Sequence, residues 1–241
     1  MRIFLTIILL SLTAFGHTFA SNMRFNHINS KDGLPHQQIQ ALAIDAEGNV
    51  WIGTRNGLSR YDGYSIKTYF HEQGNPRSLI HNFIYKLFVD SKKRIWVCTQ
   101  DGLCRYCPAT DDFEPYKKPE GIVSSIIETR NGKIICGGTQ LSIYDERNNY
   151  FSTYPALESG YILSLATDRQ NNLYVATSNS IFYYNPSMTR ITHINRSYFS
   201  DFMTGWDDII QMLFDSKDRL WIGRNAKCVK EFNMKNRQKK I

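Results

Sequence analysis

The sequence predicts an all-β fold, and three observations carry that prediction. Aromatic residues make up 13% of the 241-residue chain, with 14 Tyr, 14 Phe and 4 Trp, and flat rings pack well on pleated surfaces. Apolar runs in the body of the chain are short and end at Gly, Asn or Asp, the residues that tight turns demand. One motif also recurs five times, as Asp45-Ala-Glu-Gly-Asn-Val-Trp51, Asp90-Ser-Lys-Lys-Arg-Ile-Trp96, Thr129-Arg-Asn-Gly-Lys-Ile-Ile135, Asp168-Arg-Gln-Asn-Asn-Leu-Tyr174 and Asp215-Ser-Lys-Asp-Arg-Leu-Trp221. Its last residues stand 39 to 47 apart, a period in the range of stacked repeat units. With 42% hydrophobic residues, the chain can bury a core.

In chain order, Met1 to Ala20 has the pattern of an export signal: Arg2 is its positive start, Ile3 to Leu12 is apolar, and Thr18-Phe19-Ala20 offers a cleavage site after Ala20. The apolar run is short for a bilayer span, so a cleaved signal is expected over an uncleaved anchor. No Cys follows it to take a lipid. Losing Arg2 lowers the formal net charge from +7 to +6.

The remaining residues, 21–241, form one domain of repeated units. The first unit divides into four strands, Ile39 to Asp45, Asn49 to Thr54, Leu58 to Asp62 and Ile66 to His71, here called a to d. Asp-x-x-Gly links a to b, and Asn56-Gly57 or Asp101-Gly102 links b to c, dipeptides that accept the positive φ of tight hairpins. Units follow at 39–71, 83–117, 122–154 and 161–194, with a partial fifth at 209–232. The a and b strands are almost wholly apolar, whereas c and d alternate with polar residues. Radial packing of sheets requires that gradient, so the expected architecture is a β-propeller of four complete four-stranded blades and a partial fifth. Trp51, Trp96, Tyr174 and Trp221 become packing anchors between blades. Met23 to Asn29 aligns with a d strand and could close a five-bladed ring beside Val229 to Phe232; an open arc with apolar end faces is expected instead.

These residues carry a resemblance. Asp32-Gly33-Leu34-Pro35, Ile39, Asp45, Gly48, Trp51-Ile52-Gly53-Thr54, Asn56-Gly57-Leu58 and Arg60-Tyr61-Asp62 are similar to the signature of two-component regulator propellers, and residues 78 to 106 repeat it. The third and fourth units are weaker: Ile135 replaces the Trp, and Gly138 reads as one inserted residue before Thr139. The fifth keeps Trp221-Ile222-Gly223 but has Arg224 where Thr is expected. The resemblance implies the periplasmic sensor region of a hybrid two-component histidine kinase, non-catalytic in this chain and without a cofactor. It implies an oligosaccharide ligand, a further propeller and kinase portion as partners, and a parent anchored in the inner membrane and able to homodimerise.

Other motifs yield less. His71-Glu72-Gln73-Gly74-Asn75-Pro76 mimics a kinase phosphoacceptor box, but Gly74 and Asn75 break the helix it would need. Five Cys, at 98, 104, 107, 136 and 228, leave an odd thiol in an exported chain. If Thr99 pairs with Leu103, Cys98 and Cys104 lie opposite each other, as a cross-strand disulfide or as two packed thiols. His spacing suggests no metal. Asp111-Asp112 and Asp207-Asp208 could offer oxygen to calcium, although adjacent acids in loops are ordinarily solvated. Asn195-Arg-Ser197 is a glycosylation sequon by pattern alone. The basic stretch from Arg224 to Lys240 reads as a solvated tail, and export excludes nucleic acid as its partner.

In a propeller, the b–c turns and d-to-a connections share one rim. That rim should gather Arg55, Asn56, Gln100, Asp101, Gln140, Ser178, Asn179, Arg224 and Asn225, whose amides and guanidinium groups suit sugar hydroxyls. Asn195 to Asp208 adds Tyr198, Phe199, Phe202 and Trp206, either lining a ligand site or packing on the next blade. The residues expected to bind the ligand are Arg55, Asn56, Gln100, Asp101, Trp206, Arg224 and Asn225. A polysaccharide lyase or hydrolase and an interaction scaffold stand as the alternatives.

Overall fold

A computed structural model describes residues 27–154, 161–177, 180–188, 191–194, 209–224 and 230–232. Among these, the strands form five antiparallel sheets in chain order. The first contains β1 (Ile39–Ile44), β2 (Val50–Thr54), β3 (Gly57–Tyr61) and β4 (Ile66–Tyr69). The second contains β5 (Ile84–Val89), β6 (Ile95–Thr99), β7 (Gly102–Cys107) and β8 (Asp112–Tyr116). The third contains β9 (Val123–Glu128), β10 (Ile134–Gly138), β11 (Ser142–Asp145) and β12 (Tyr150–Thr153). The fourth contains β13 (Ile162–Thr167), β14 (Leu173–Thr177), β15 (Ile181–Tyr184) and β16 (Ile191–Ile194), and the three-stranded fifth β17 (Ile209–Phe214), β18 (Leu220–Arg224) and β19 (Lys230–Phe232). The first strands β1, β5, β9, β13 and β17 pack each against the next. This is an incomplete β-propeller of four full blades and a partial fifth.

The leading segment differs from expectation. Residues 23–26 lie outside the described residues, and 27–29 are not a strand. Asn29 instead caps a single 3-10 turn, Ser30–Asp32, through reciprocal side-chain bonds with the main chain. The Thr68 hydroxyl then donates to the carbonyl of Gly33 at 3.2 Å, laying this segment along β4.

One carboxylate organises each typical a–b turn. Asp45 Oδ1 accepts the main-chain N–H groups of Glu47 and Asn49, while its Oδ2 accepts Asn49 Nδ2 at 2.9 Å and the indole N–H of Trp51 at 2.8 Å. Asp90 does the same for Lys92, Arg94 and Trp96. Asp215 does so for Lys217, Arg219 and Trp221. Burial alone would raise the Asp45 carboxyl, but its donors outweigh that and hold it below the usual range. The turn thereby fixes the Trp ring, which then reaches the next blade. Trp51 is fully buried, with Tyr106 of the second sheet 4.6 Å away, and Trp96 meets Tyr144 and Phe151 of the third.

Close approach explains the Gly of Trp-Ile-Gly. A Cβ on Gly53 would stand 2.7 Å from Ile84 Cγ2, and one on Gly137 would stand 2.5 Å from Ile162 Cγ2. The first strand of the following blade presses into that notch. Gly138 is not the inserted residue that the sequence suggested. It pairs with Val123 as Thr54 pairs with Ile39 and Thr99 with Ile84, so it replaces the Thr. A Cβ there would lie 1.9 Å from the carbonyl oxygen of Ile122.

A second lock joins neighbouring blades at the β7–β8 turn. Asp111, left-handed at φ 54, accepts the hydroxyls of Tyr69 at 2.7 Å and Tyr106 at 2.5 Å, and pairs with Arg60 and Lys67 of the first sheet. In the next blade Asn149, at φ 53, takes the hydroxyls of Tyr116 at 3.0 Å and Tyr144 at 2.6 Å. Burial works to raise the Asp111 carboxyl, yet bonds from Lys67, Tyr106 and Tyr69 and the charge of Arg60 win, leaving it at about 2.

Among the described residues, the end faces lack such partners. Leu42 and Ile44 of β1 are 64% and 66% exposed, whereas Leu87, at the place of Leu42 in the second blade, is 4% exposed. At the other end Leu213 is 48% exposed.

Three outcomes follow from this packing. Trp96→Ala should cost roughly 3–5 kcal/mol through lost burial and an unrelieved cavity, while Arg55→Ala on an exposed turn should stay within about 0.5 kcal/mol; urea midpoints compare them. The advantage of the native protein over Asp111→Asn should be complete above about pH 4, where the unfolded carboxylate is also ionised. It should shrink as pH falls through about 2, the folded value, and equal advantages at pH 6 and pH 2.5 would contradict the lock. Sedimentation velocity should show concentration-dependent self-association that Leu42→Lys combined with Ile44→Lys reduces.

Candidate ligand-binding rim

The b–c turns are built locally. Thr54, fully buried, donates its hydroxyl to the carbonyl of Gly57 at 2.9 Å and accepts the N–H of Asn56 at 3.0 Å. Thr99 repeats both bonds, with Gly102 and Asp101. Gly57 and Gly102 adopt φ of 119 and 134, which a side chain would strain.

Main-chain bonds then carry these turns onto the connections between blades. The N–H of Gly57 donates to Asn82 O at 2.8 Å, and that of Gln100 to Phe83 O at 3.1 Å. The peptide before β5 is therefore held by the turn of its own blade and by that of the blade before it. Thr139 N–H donates likewise to Ile122 O at 2.9 Å. Arg55, Asn56, Gln100 and Asp101 all lie exposed on this rim, and their side chains make no hydrogen bond to the protein among the described residues.

The sequence reading missed the rings beneath them. Arg55 lies 5.6 Å over the ring of Phe83, and Phe83 lies 4.6 Å from Tyr85 at an interplanar angle of 33°. Both rings are half-buried. Tyr85 owes its direction to a bulge. Ile84 pairs with Thr99 and Lys86 with Cys98, so Tyr85 is an extra residue on β5. The same slip recurs at Gln40, Ser124, Leu163 and Ile210. These five share no side-chain chemistry, so no residue pattern announces the bulge. Tyr161, 55% exposed, stands before β13 as Phe83 stands before β5.

The remaining expected residues divide into further rim positions and packing anchors. Trp206, Asn225, Ser178 and Asn179 lie outside the described residues, and Arg224 ends β18. Trp51 and Trp96 are wholly buried, Tyr174 is buried against Phe214 of β17, and Trp221 is half-buried beneath Arg219. The segment from His71 to Pro76 joins β4 to β5 without a helix, and His71 Nδ1 shares a 2.7 Å hydrogen bond with Leu79 O.

The cysteine geometry requires a correction. Thr99 pairs with Gly102, so Cys98 lies opposite Leu103 and Cys104 opposite Val97. Their sulfurs point to opposite faces, Cys98 into the core shared with the third blade and Cys104 into that shared with the first. Both thiols are free, and burial pushes Cys104 up to about 12. Asp112 pairs with Arg77 and Thr110, and Asp111 with the phenols described above. No cluster of metal-ligating side chains occurs among the described residues, and no helix there is long and apolar enough to cross a membrane.

Comparison with known proteins agrees with this geometry. The family model described as two component regulator propeller matches residues 33–56 and 78–101. A protein named histidine kinase P4, from Formosa agariphila, is 37% identical over 49 residues, 20% of this chain and 4% of that protein. The extracellular domain of a putative hybrid two component system from B. thetaiotaomicron superposes with a TM-score of 0.73 at 21% identity, covering 86% of this chain and 30% of that one. The virginiamycin B lyase of Staphylococcus aureus has the same type of fold, with a TM-score of 0.60 at 18% identity over 81% of this chain and 70% of the lyase. The chain thus spans under a third of that extracellular domain's length and a small fraction of the kinase's. Two repeats of the two component regulator propeller type are matched, at residues 33–56 and 78–101, and the later sheets continue the same four-stranded arrangement.

Proposed function

We propose that this chain is the ligand-sensing propeller of a hybrid two-component signal-transduction protein, exported to the periplasm, and that its b–c rim recognises an oligosaccharide. The observation that carries the reading is how the rim is held. Main-chain bonds fix the turns on both sides of Phe83, which leaves the side chains of Arg55, Asn56, Gln100 and Asp101 to meet a ligand. Polar groups displayed on a rigid frame, with aromatic rings below, suit a ligand with many hydroxyls and apolar ring faces. Trp206, Arg224 and Asn225 would extend the same rim. Binding would bias the packing of blades, and the further propeller and kinase portion of a parent protein, anchored in the inner membrane and homodimeric, would read that bias. The alternative, a propeller enzyme such as a polysaccharide lyase or hydrolase, draws on the fold shared with virginiamycin B lyase. Against it, the two carboxylates whose pKa is displaced furthest, Asp111 and Asp215, are bound into locks between strands and blades rather than presented on the rim.

Calorimetric titration of the purified chain with neutral and acidic oligosaccharides tests the reading. Asn56→Ala and Gln100→Ala should each weaken binding about tenfold, the worth of one good hydrogen bond to a desolvated ligand, with circular dichroism unchanged. Release of new reducing ends by the native chain would favour the enzyme instead.

A further inference from the structure

The rings on the rim allow the ligand class to be narrowed, on the reading that the rim binds an oligosaccharide. Five arginines lie over aromatic rings among the described residues: Arg55, Arg60, Arg94, Arg105 and Arg219. Four of them are neutralised. Arg60 pairs with Asp111, Arg94 with Asp90 and Glu146, Arg105 with Glu114, and Arg219 with Asp215 and Glu231. Arg55 has the ring and, among the described residues, no carboxylate. In that set a guanidinium stacked on a ring is otherwise completed by an acid, and Arg55 keeps its N–H fork for something from outside.

We infer that Arg55, Phe83 and Tyr85 form a subsite for a uronic acid residue of an oligosaccharide, the sugar's apolar face lying on the aromatic pair and its carboxylate meeting the Arg55 fork. The geometry is prepared before any ligand arrives. Cation–π contact at 5.6 Å restrains the long Arg55 side chain, so less rotamer entropy is lost on binding. The rings are fixed by the two main-chain bonds to Asn82 and Phe83 and by the bulge at Tyr85. A planar guanidinium matches a carboxylate with two parallel hydrogen bonds, which a lysine could not do. A formal charge of +6, the +7 of the whole sequence less Arg2 of the export signal, adds long-range attraction for a polyanion. Tyr161 supplies an exposed ring at the corresponding place two blades on, which favours an oligomer over a single sugar.

The test titrates the native chain, Arg55→Gln and Phe83→Ala with trigalacturonate, trimannuronate and neutral maltotriose. The native chain should bind an acidic trimer at least tenfold more tightly than maltotriose, with affinity falling as salt rises. Arg55→Gln should remove that preference, weakening the acidic trimer about tenfold and leaving the neutral one unchanged. Phe83→Ala should weaken both; a loss of native circular dichroism in that variant leaves Arg55→Gln to decide. A preference for acidic sugars that survives Arg55→Gln overturns the inference. So does native binding of maltotriose as tight as that of the acids, although the oligosaccharide reading then stands. Binding of none of the three would remove the oligosaccharide reading, and the subsite with it.

Discussion

The fold depends on a carboxylate placed six residues before a tryptophan. Asp45, Asp90 and Asp215 each close their own turn through two main-chain N–H groups and then hold the indole of the next strand. That second bond turns a local feature into a tertiary one, because a Trp ring with a fixed rotamer can serve as a wall for the neighbouring blade. The third unit shows the dependence by lacking it. Thr129 and Ile135 stand at the positions of the Asp and the Trp. The hydroxyl of Thr129 still accepts the N–H of Lys133 at 3.0 Å, but no indole follows. The core between the third and fourth blades has an aliphatic centre, built on Ile135, Leu141, Ile162, Leu165, Leu173 and Val175, and its ring pair is Tyr154 with Tyr184 at 5.9 Å. Turn closure survives the substitution; the indole anchor does not.

Size is matched across the blade interfaces as well. Gly53 faces Ile84, and Gly137 faces Ile162. In the second blade Cys98 takes the position of those glycines, and Val123, smaller than Ile, shares its core. Close-packed interiors tolerate little extra volume, so a larger knob in one strand calls for a smaller partner in the next. Such pairing helps to specify which blade follows which, beyond what a uniform repeat would allow.

The features legible in the sequence were those with short-range causes. Trp anchors, Asn-Gly and Asp-Gly turns, and the contrast between apolar inner and mixed outer strands each reflect the demands of a few adjacent residues. What escaped depends on register. A shift of one residue in the β6–β7 hairpin separates Cys98 from Cys104 onto opposite faces, because side chains alternate along a strand. The bulge that aims Tyr85 leaves no compositional trace, since Gln40, Ser124 and Leu163 occupy the same place in other blades. The role of Asp111 was hidden for a further reason: its partners, Tyr69 and Tyr106, are contributed by two different sheets. Its neighbour in sequence, Asp112, made the pair resemble a solvated or metal-binding turn.

The two ends of the blades divide the work. The a–b and c–d turns hold the charged and phenolic bonds: the Asp–indole locks, Asp111 and Asn149 with their tyrosines, and Arg94 bridging Asp90 and Glu146. The opposite rim is fastened mainly through peptide groups, by Gly57 to Asn82, Gln100 to Phe83 and Thr139 to Ile122. Peptide bonds of this kind make few demands on side-chain identity beyond a Gly or Thr that shapes the turn. Side chains on that rim can therefore vary without loosening the frame, which is the condition a recognition surface needs. At the other end, the same change at a side chain that makes a lock would be felt as lost stability. The asymmetry follows from which groups carry the bonds, and among the described residues it leaves Arg55 over the Phe83 ring without a carboxylate.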